Sequence, residues 1–424
     1  MSTPLLGKSA EWDAVTPRCT SWRLTGARVG LDARHSIPAT VDIREGRIRE
    51  IVPEQNGGSH RLPVRSLPSA VDLSGYLLLP GLINAHEHLE FNLFPRLGNG
   101  PYRNYAEWAA DVYHPERSPV RDQLMIPKPV RLWWGAIKNL LAGVTTVCHH
   151  NAPIPRPLNN SLPVRVLDRY GWSHSLCFSR NISEAFHATP PDAPFVIHLG
   201  EGTDEASRDE IFRLDRLGAL DSRTAIVHGT GLDEAGHKLL EQRGAGLIWC
   251  PTSNIFTLGT TLGKEAIARH SRVALGSDSA LTAQSDLLDE IRFARQKTQM
   301  TPEAIYPLVT TSAADVLRLA NSAGVITAGG PADLIAVADT GDPPCERLAQ
   351  ITIAEIELGM VGGEPKLLSP AAAARWPRFA LTGHQALGID GIERLIQAPV
   401  ASLMEITKQH CGREIFLAAR MVEV

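Results

Sequence analysis

The pattern of apolar and polar positions changes twice along the chain. Residues 22–79 alternate in short runs, SWRLTGARVG, ATVDIREGRIREIV and AVDLSGYLLL, separated by Gly-rich or polar breaks, which predicts strands. After Pro80-Gly81 the texture becomes mixed. Leu124, Trp133, Ile137, Leu140 and Leu141 fall at helical spacing as far as Gly143, and the apolar run Val144–Cys148 follows at once. The theme recurs: FVIHL precedes a helix near 204–218, TAIVHG one at 233–243, GLIWC one at 263–270 and RVALGSD one at 285–298. Such alternation predicts parallel strands joined by crossover helices, in a barrel or a doubly wound sheet. Strand texture returns in PADLIAVAD and IAEIELGMVGGEPKLL, and segment 370–424 reads as more helical.

Several of these strands end in residues suited to metal chemistry. His86 and His88 follow LLLPGLINA, and residues i and i+2 of a strand share a face, so two imidazoles there can grip one ion. With 15 histidines in 424 residues, about 0.5 such pairs arise by chance, so the pair alone is weak evidence. Its weight comes from His198 with Glu201 three residues on, His228 and Asp278, each at the end of a separate apolar run. A single buried histidine is more often a satisfied core residue. Strand C-termini converge on one mouth in a barrel, and there these groups would meet.

Composition narrows the function classes. Lys and Arg number 42 against 46 Asp and Glu, with no long block of like charge, so a nucleic-acid surface is not indicated. The apolar run at 76–83 is too short to span a bilayer, so no membrane partner is expected. Six scattered cysteines without a C-x-x-C suit reduced thiols, and the first fifteen residues lack the pattern of a secretory signal; a cytoplasmic protein is expected. GTTLGKE and GTGLDEAG fail the phosphate-loop and dinucleotide spacings, and LGSDSA is not a nucleophile elbow.

PGLINAHEHLE, HLGEGTDE, IVHGTGLDE, CPTSN and LGSDSALTAQSDLLDEIRFA, in this order, together resemble the amidohydrolase superfamily, and within it the cytosine deaminase-like branch of guanine, S-adenosylhomocysteine and s-triazine aminohydrolases. The resemblance covers roughly residues 22–368 and implies an α/β fold: a TIM-type (β/α)8 barrel at 81–329, close to the ~250 residues typical of that fold. A small β-sandwich domain would combine 22–79 with 330–368, leaving 369–424 as a mainly helical extension. Residues 151–194 must hold two strands with their helices, while one βα unit takes about 30 residues, so one unit is expected to be shortened. The long stretch 95–120, rich in Pro, Gly and aromatic residues, reads equally as a lid or as a fixed flap.

Position by position, the resemblance implies His86, His88, His198 and Asp278 as ligands of one divalent metal ion, zinc in preference to iron. Glu201 would shuttle protons, and His228 would touch the metal or polarise the substrate. Catalysis would rest on Glu201, His228 and Asp278, in hydrolytic deamination of an N-heterocyclic amine. Hydrolysis of a cyclic amide or of a C–Cl bond is the alternative. Trp249, Asn254, His150 and Trp108 are candidate substrate contacts; relatives often carry histidine where Trp249 stands, and Asn254 serves equally as a strand cap. The absence of lysine between Lys138 and Lys238 argues against a carboxylated-lysine bridge between two ions. A small-molecule substrate is expected, with a homodimer left open.

Overall fold

The computed structural model describes residues 21–54, 69–320, 322–412 and 414–423. The first fifteen residues, Cys19 and the part of 22–79 between 55 and 68 lie outside them. Among the described residues, eight short strands follow one another in barrel order: Leu82–Glu87, Val144–His149, Arg165–Val166, Gly171–Ser173, Phe195–Leu199, Thr224–His228, Gly246–Trp249 and Val273–Leu275. The first three pair in parallel, and so do the last five. Helices Lys128–Leu141, Glu205–Arg216, Glu234–Gln242 and Leu287–Thr298 wrap the outside. The architecture is a TIM-type barrel with an attached β domain. The shortened unit lies between strands three and four, which are joined by residues 167–170 without a helix.

Strand alternation sorts the barrel into two layers of core. Phe195, Ile197 and Leu199 face outward with Ile226, Leu247 and Leu275, where they meet the helices. Val196, Ala225, Val227, Ile248 and Ala274 fill the interior with Ile83, Ala85 and Cys148. Helix Lys128–Leu141 is buried from Val130 to Leu141, because helix Val400–Cys411 covers its far side; the Trp134 indole donates to Thr407 Oγ1 at 2.9 Å. Burying a side chain of this size contributes about 1.5–3 kcal/mol, so this helix anchors the wall beside strand one.

Strands from both ends of the chain build one large second sheet. Tyr76–Pro80 lies between Ser21–Gly30 and Leu334–Ala338, then passes directly into barrel strand one through Gly81. A Cβ on Gly81 would stand 2.3 Å from the Thr145 side chain, so only glycine lets the chain cross there. The expectation of a mainly helical extension at 369–424 is corrected. His384–Ile389, Ile392–Gln397, Ile415–Leu417 and Arg420–Glu423 are strands that prolong this sheet, around the single long helix at 400–411. Residues 370–373 are helical as well, while such short strands owe their stability to their sheet neighbours. No helix among the described residues is long and apolar enough to cross a membrane.

Glu290, on helix Leu287–Thr298, is fully buried and accepts hydrogen bonds from the Thr252 amide and hydroxyl. Burial, opposed only in part by those two bonds, pushes its carboxyl up to about 8. A carboxyl raised in the folded state keeps its proton where the unfolded chain has lost it, so this group makes stability fall as pH rises from about 4.5 to about 8. Glu290→Gln removes that dependence. The variant's melting temperature relative to wild type should therefore be higher at pH 8 than at pH 5; an equal difference at both would contradict the assignment.

Candidate active site

The mouth of the barrel gathers His86, His88, His198 and Asp278, all buried, with one potential ligand atom from each lying within 4.8 Å of the others. His198 Nε2 is 3.1 Å from His86 Nε2, and Asp278 Oδ1 is 3.4 Å from His86 Nε2 and 3.5 Å from His88 Nε2. Donors on a tetrahedral ion at 2.0–2.1 Å stand about 3.3 Å apart, close to these separations. Burial first, then the neighbouring imidazoles, holds His198 well below the usual range; burial lowers His86 to about 4 against the pull of Asp278. Burial pushes Asp278 upward, but the surrounding histidines win and hold it well below the usual carboxylate range. Burial thus favours the neutral ring at His86 and His198 beside one anion. The His198 Nδ1–H donates to the His174 carbonyl at 2.8 Å, which leaves a lone pair on Nε2 facing the His86 nitrogen. Such a face-to-face arrangement fits a divalent cation.

Strand alternation alone does not aim these residues. Ile83 and Ala85 face the barrel interior, so simple parity would send Glu87 inward and His86 outward. A bulge between Asn84 and Glu87 breaks the register with strand two, and His86 within it and His88 beyond it point into the mouth. His228 would likewise follow Ile226 to the outer face, but its backbone has φ 76° and its ring joins the cluster, 5.3 Å from the His198 ring. Asp278 is also left-handed, at φ 54°. Non-glycine residues held in this region concentrate at functional sites. Gly276 lets the last strand come in beside the first: a Cβ there would lie 2.6 Å from that of His86.

Glu201 stands beside the four donors, its Oε2 3.5 Å from His228 Nε2. Burial, then the charges of Asp278 and Glu210, holds its carboxyl well above the ordinary range. The Tyr105 amide donates to the Glu201 carbonyl at 3.1 Å, and Leu97, Tyr102 and Thr203 add further backbone bonds between the 95–113 segment and the loops at the mouth. This long connection is thus a bonded rim.

The four proposed substrate contacts fall in different places. Asn254 Oδ1 accepts from the His228 Nδ1–H at 2.8 Å and so fixes which nitrogen of that ring faces Glu201. Trp249 points outward with Leu247 into the strand–helix layer, fully buried, its Nε1 donating to Thr261 Oγ1 at 2.7 Å; alternation takes it off the inner face. Trp108 spends its indole N–H on the Leu97 carbonyl within the rim. His150 is inside the cluster, its ring 4.1 Å from that of His198; Nε2 bonds the Ser173 carbonyl and Nδ1 finds no partner among the described residues. Sequence reading missed His174, whose ring lies 4.9 Å from that of His198, because its strand is only three residues long and shows no period. It also missed Ser253, whose hydroxyl donates to Asp278 Oδ2 at 2.6 Å; CPTSN carried that signal, but only Asn254 was read from it.

Residues 175–366 match the Amidohydrolase family. A 5-methylthioadenosine/S-adenosylhomocysteine deaminase of Syntrophobacter fumaroxidans is 24% identical over 368 residues, covering 72% of this chain and 81% of that protein. A 5'-deoxyadenosine deaminase of Methanoregula boonei is 32% identical over 166 residues, 34% of this chain and 37% of that one. Among solved structures, an adenosine deaminase from Xanthomonas campestris with bound zinc is similar in fold, with TM-score 0.65 and 18% identity over 93% of this chain and 98% of that one. A triazine hydrolase variant gives TM-score 0.69 at 16% identity, over 92% and 99% of the two chains. The matched family span contains His198, Glu201, His228 and Asp278, while His86 and His88 precede it and meet them at the barrel mouth. The chain carries an amidohydrolase family domain.

Proposed function

We propose that this chain is a metal-dependent aminohydrolase that removes the amino group from an N-heterocycle. The observation that carries the reading is the buried donor set His86, His88, His198 and Asp278 with the Glu201–His228 pair at its side. The relatives' names support it, and they make adenine nucleosides the first substrates to try. A divalent ion held there supplies a Lewis acid and lowers the pKa of water towards ~7. Zinc is the ion of choice for this imidazole and carboxylate set, and the absence of lysine between Lys138 and Lys238 favours a single ion.

Each side chain then has a defined task. Asp278 Oδ2 is held by the Ser253 hydroxyl, which keeps Oδ1 turned towards the histidines. Glu201, raised in pKa and screened from solvent, takes one proton from the attacking water and delivers it to the ring nitrogen, then moves the second proton from the added hydroxyl to the leaving amine. His228, oriented by Asn254, offers its Nε2 side to the oxygen added at the ring carbon. The C–O bond forms, the C–N bond breaks, and ammonia leaves behind a carbonyl. His150 and His174, at the inner wall and the rim, stand where the heterocycle would lie.

The test is ammonia release from a panel of aminoheterocycles that includes adenine nucleosides, with metal content measured on the same samples. Glu201→Gln should keep its metal and lose at least ~100-fold in kcat, the scale of general acid–base catalysis. Metal-free protein after zinc-supplemented expression, or ring opening of cyclic amides without ammonia, would overturn the reading. Asn254→Ala should lower kcat by about tenfold at unchanged metal content, the loss expected when a second-sphere partner no longer fixes a histidine. Loss of metal in that variant would instead place Asn254 in support of the ligands.

A further inference from the structure

The first and last barrel strands are joined by side chains rather than by a ladder. Strands one to three form one sheet and strands four to eight another, and the seam between Leu82–Glu87 and Val273–Leu275 carries no assigned strand pairing. Its backbone bond beyond the strand end runs from the Asp278 amide to the His86 carbonyl at 3.0 Å. Across the same seam, the Ser277 amide donates to Asn84 Oδ1 at 3.0 Å, and Asn84 Nδ2 donates to Ser277 Oγ at 2.7 Å.

At the centre of this stitch is Glu87, which lies between the two ligand histidines and is fully buried. Its Oε2 pairs with Lys138 Nζ at 2.5 Å and accepts from Ser277 Oγ at 2.9 Å and Asn139 Nδ2 at 3.1 Å. Its Oε1 accepts from the His88 amide at 2.9 Å and from Asn92 Nδ2 at 3.2 Å. Lys138 and Asn139 sit on the buried helix packed against strand two and the turn Leu89–Phe91 that follows strand one. One carboxylate therefore bonds the His88 peptide, the residue before Asp278, and a rigid helix.

A buried ion pair is weak evidence for stability, because well-packed neutral residues of similar volume often serve as well or better. What this pair adds is direction: each of its partners adjoins a ligand or the wall behind it. We propose that the Glu87–Lys138 ion pair is a positioning device that sets His86, His88 and Asp278 across the seam to the spacing a metal ion requires. Glu87 and Lys138 touch neither ion nor substrate and act through the residues they hold. The inference rests on the metal-dependent reading above.

The decisive variant is Glu87→Gln/Lys138→Met, which removes both charges and keeps the volumes. Apo wild type and apo variant are compared by thermal melting, and zinc affinity is read by competition with a chromogenic chelator. A positioning role predicts a variant that melts like apo wild type but binds zinc 10- to 100-fold more weakly, the usual loss when outer-sphere partners of ligands are changed. A folded variant with wild-type zinc affinity would overturn the proposal. Should the double variant fail to fold, Ser277→Ala decides: it removes only the strand-eight partner, is expected to weaken zinc binding about tenfold, and overturns the proposal if affinity is unchanged. Wild-type chain that takes up no zinc would overturn the metal reading and this inference with it, whereas wild-type uptake with unchanged variant affinity overturns this inference alone.

Discussion

The hydrogen bond from the Asp278 amide to the His86 carbonyl closes the barrel at the point where its chemistry lies. Three histidines and an aspartate from strands one, five and eight become one donor set only if the last strand meets the first. That meeting imposes local demands. Residue 276 must be glycine because His86 occupies the space of its side chain, and Asp278 must take a left-handed backbone to turn back towards the mouth. The polar stitch of Asn84, Glu87 and Ser277 supplies the hydrogen bonds that a regular ladder would have made.

The elements around the barrel have a consistent relation to this seam. The N- and C-terminal strands share one sheet, and strand one emerges from that sheet through Gly81. The C-terminal hairpin returns to the same region: the Ala418 amide donates to the Asn92 carbonyl, Ser285 donates to the Ala418 carbonyl, and Arg420 pairs with Asp286 and Asp289. The last residues of the chain thus brace the loops that follow strands one and eight. The 95–113 rim does the same for Glu201 through the Tyr105 amide and for the loop after strand eight through the Leu97 amide.

Electrostatics separates the tasks of similar residues. Asp278 and Glu201 are both buried carboxyls of one mouth, yet the His86 hydrogen bond and the surrounding histidines hold Asp278 low, while burial first, and then the neighbouring carboxylates, push Glu201 upward. Two carboxyls with opposite shifts give one fixed negative ligand and one group able to carry a proton. His86 and His198, their pKa values lowered by burial, are ready as lone-pair donors.

The alternation of strands and helices and a shortened unit within 151–194 were legible in the sequence, and so were His86, His88, His198, Glu201, His228 and Asp278 as residues that the fold brings together, because periodicity and strand-end chemistry are local properties of the chain. It misjudged what depends on neighbours. The strands after 384 are too short to show a period, and Trp249 was read as a substrate contact although its strand parity turns it outward. His174 was invisible for want of a periodic strand. Only the tertiary structure decided the aim of the side chains. The bulge at Asn84–Glu87 and the left-handed backbone of His228 reverse the faces that strict alternation gives, and Glu87, which reads in sequence as a spacer between two ligands, becomes the carboxylate that ties both ends of the barrel together. Register and long-range pairing arise from contacts between distant segments, and no local pattern encodes them.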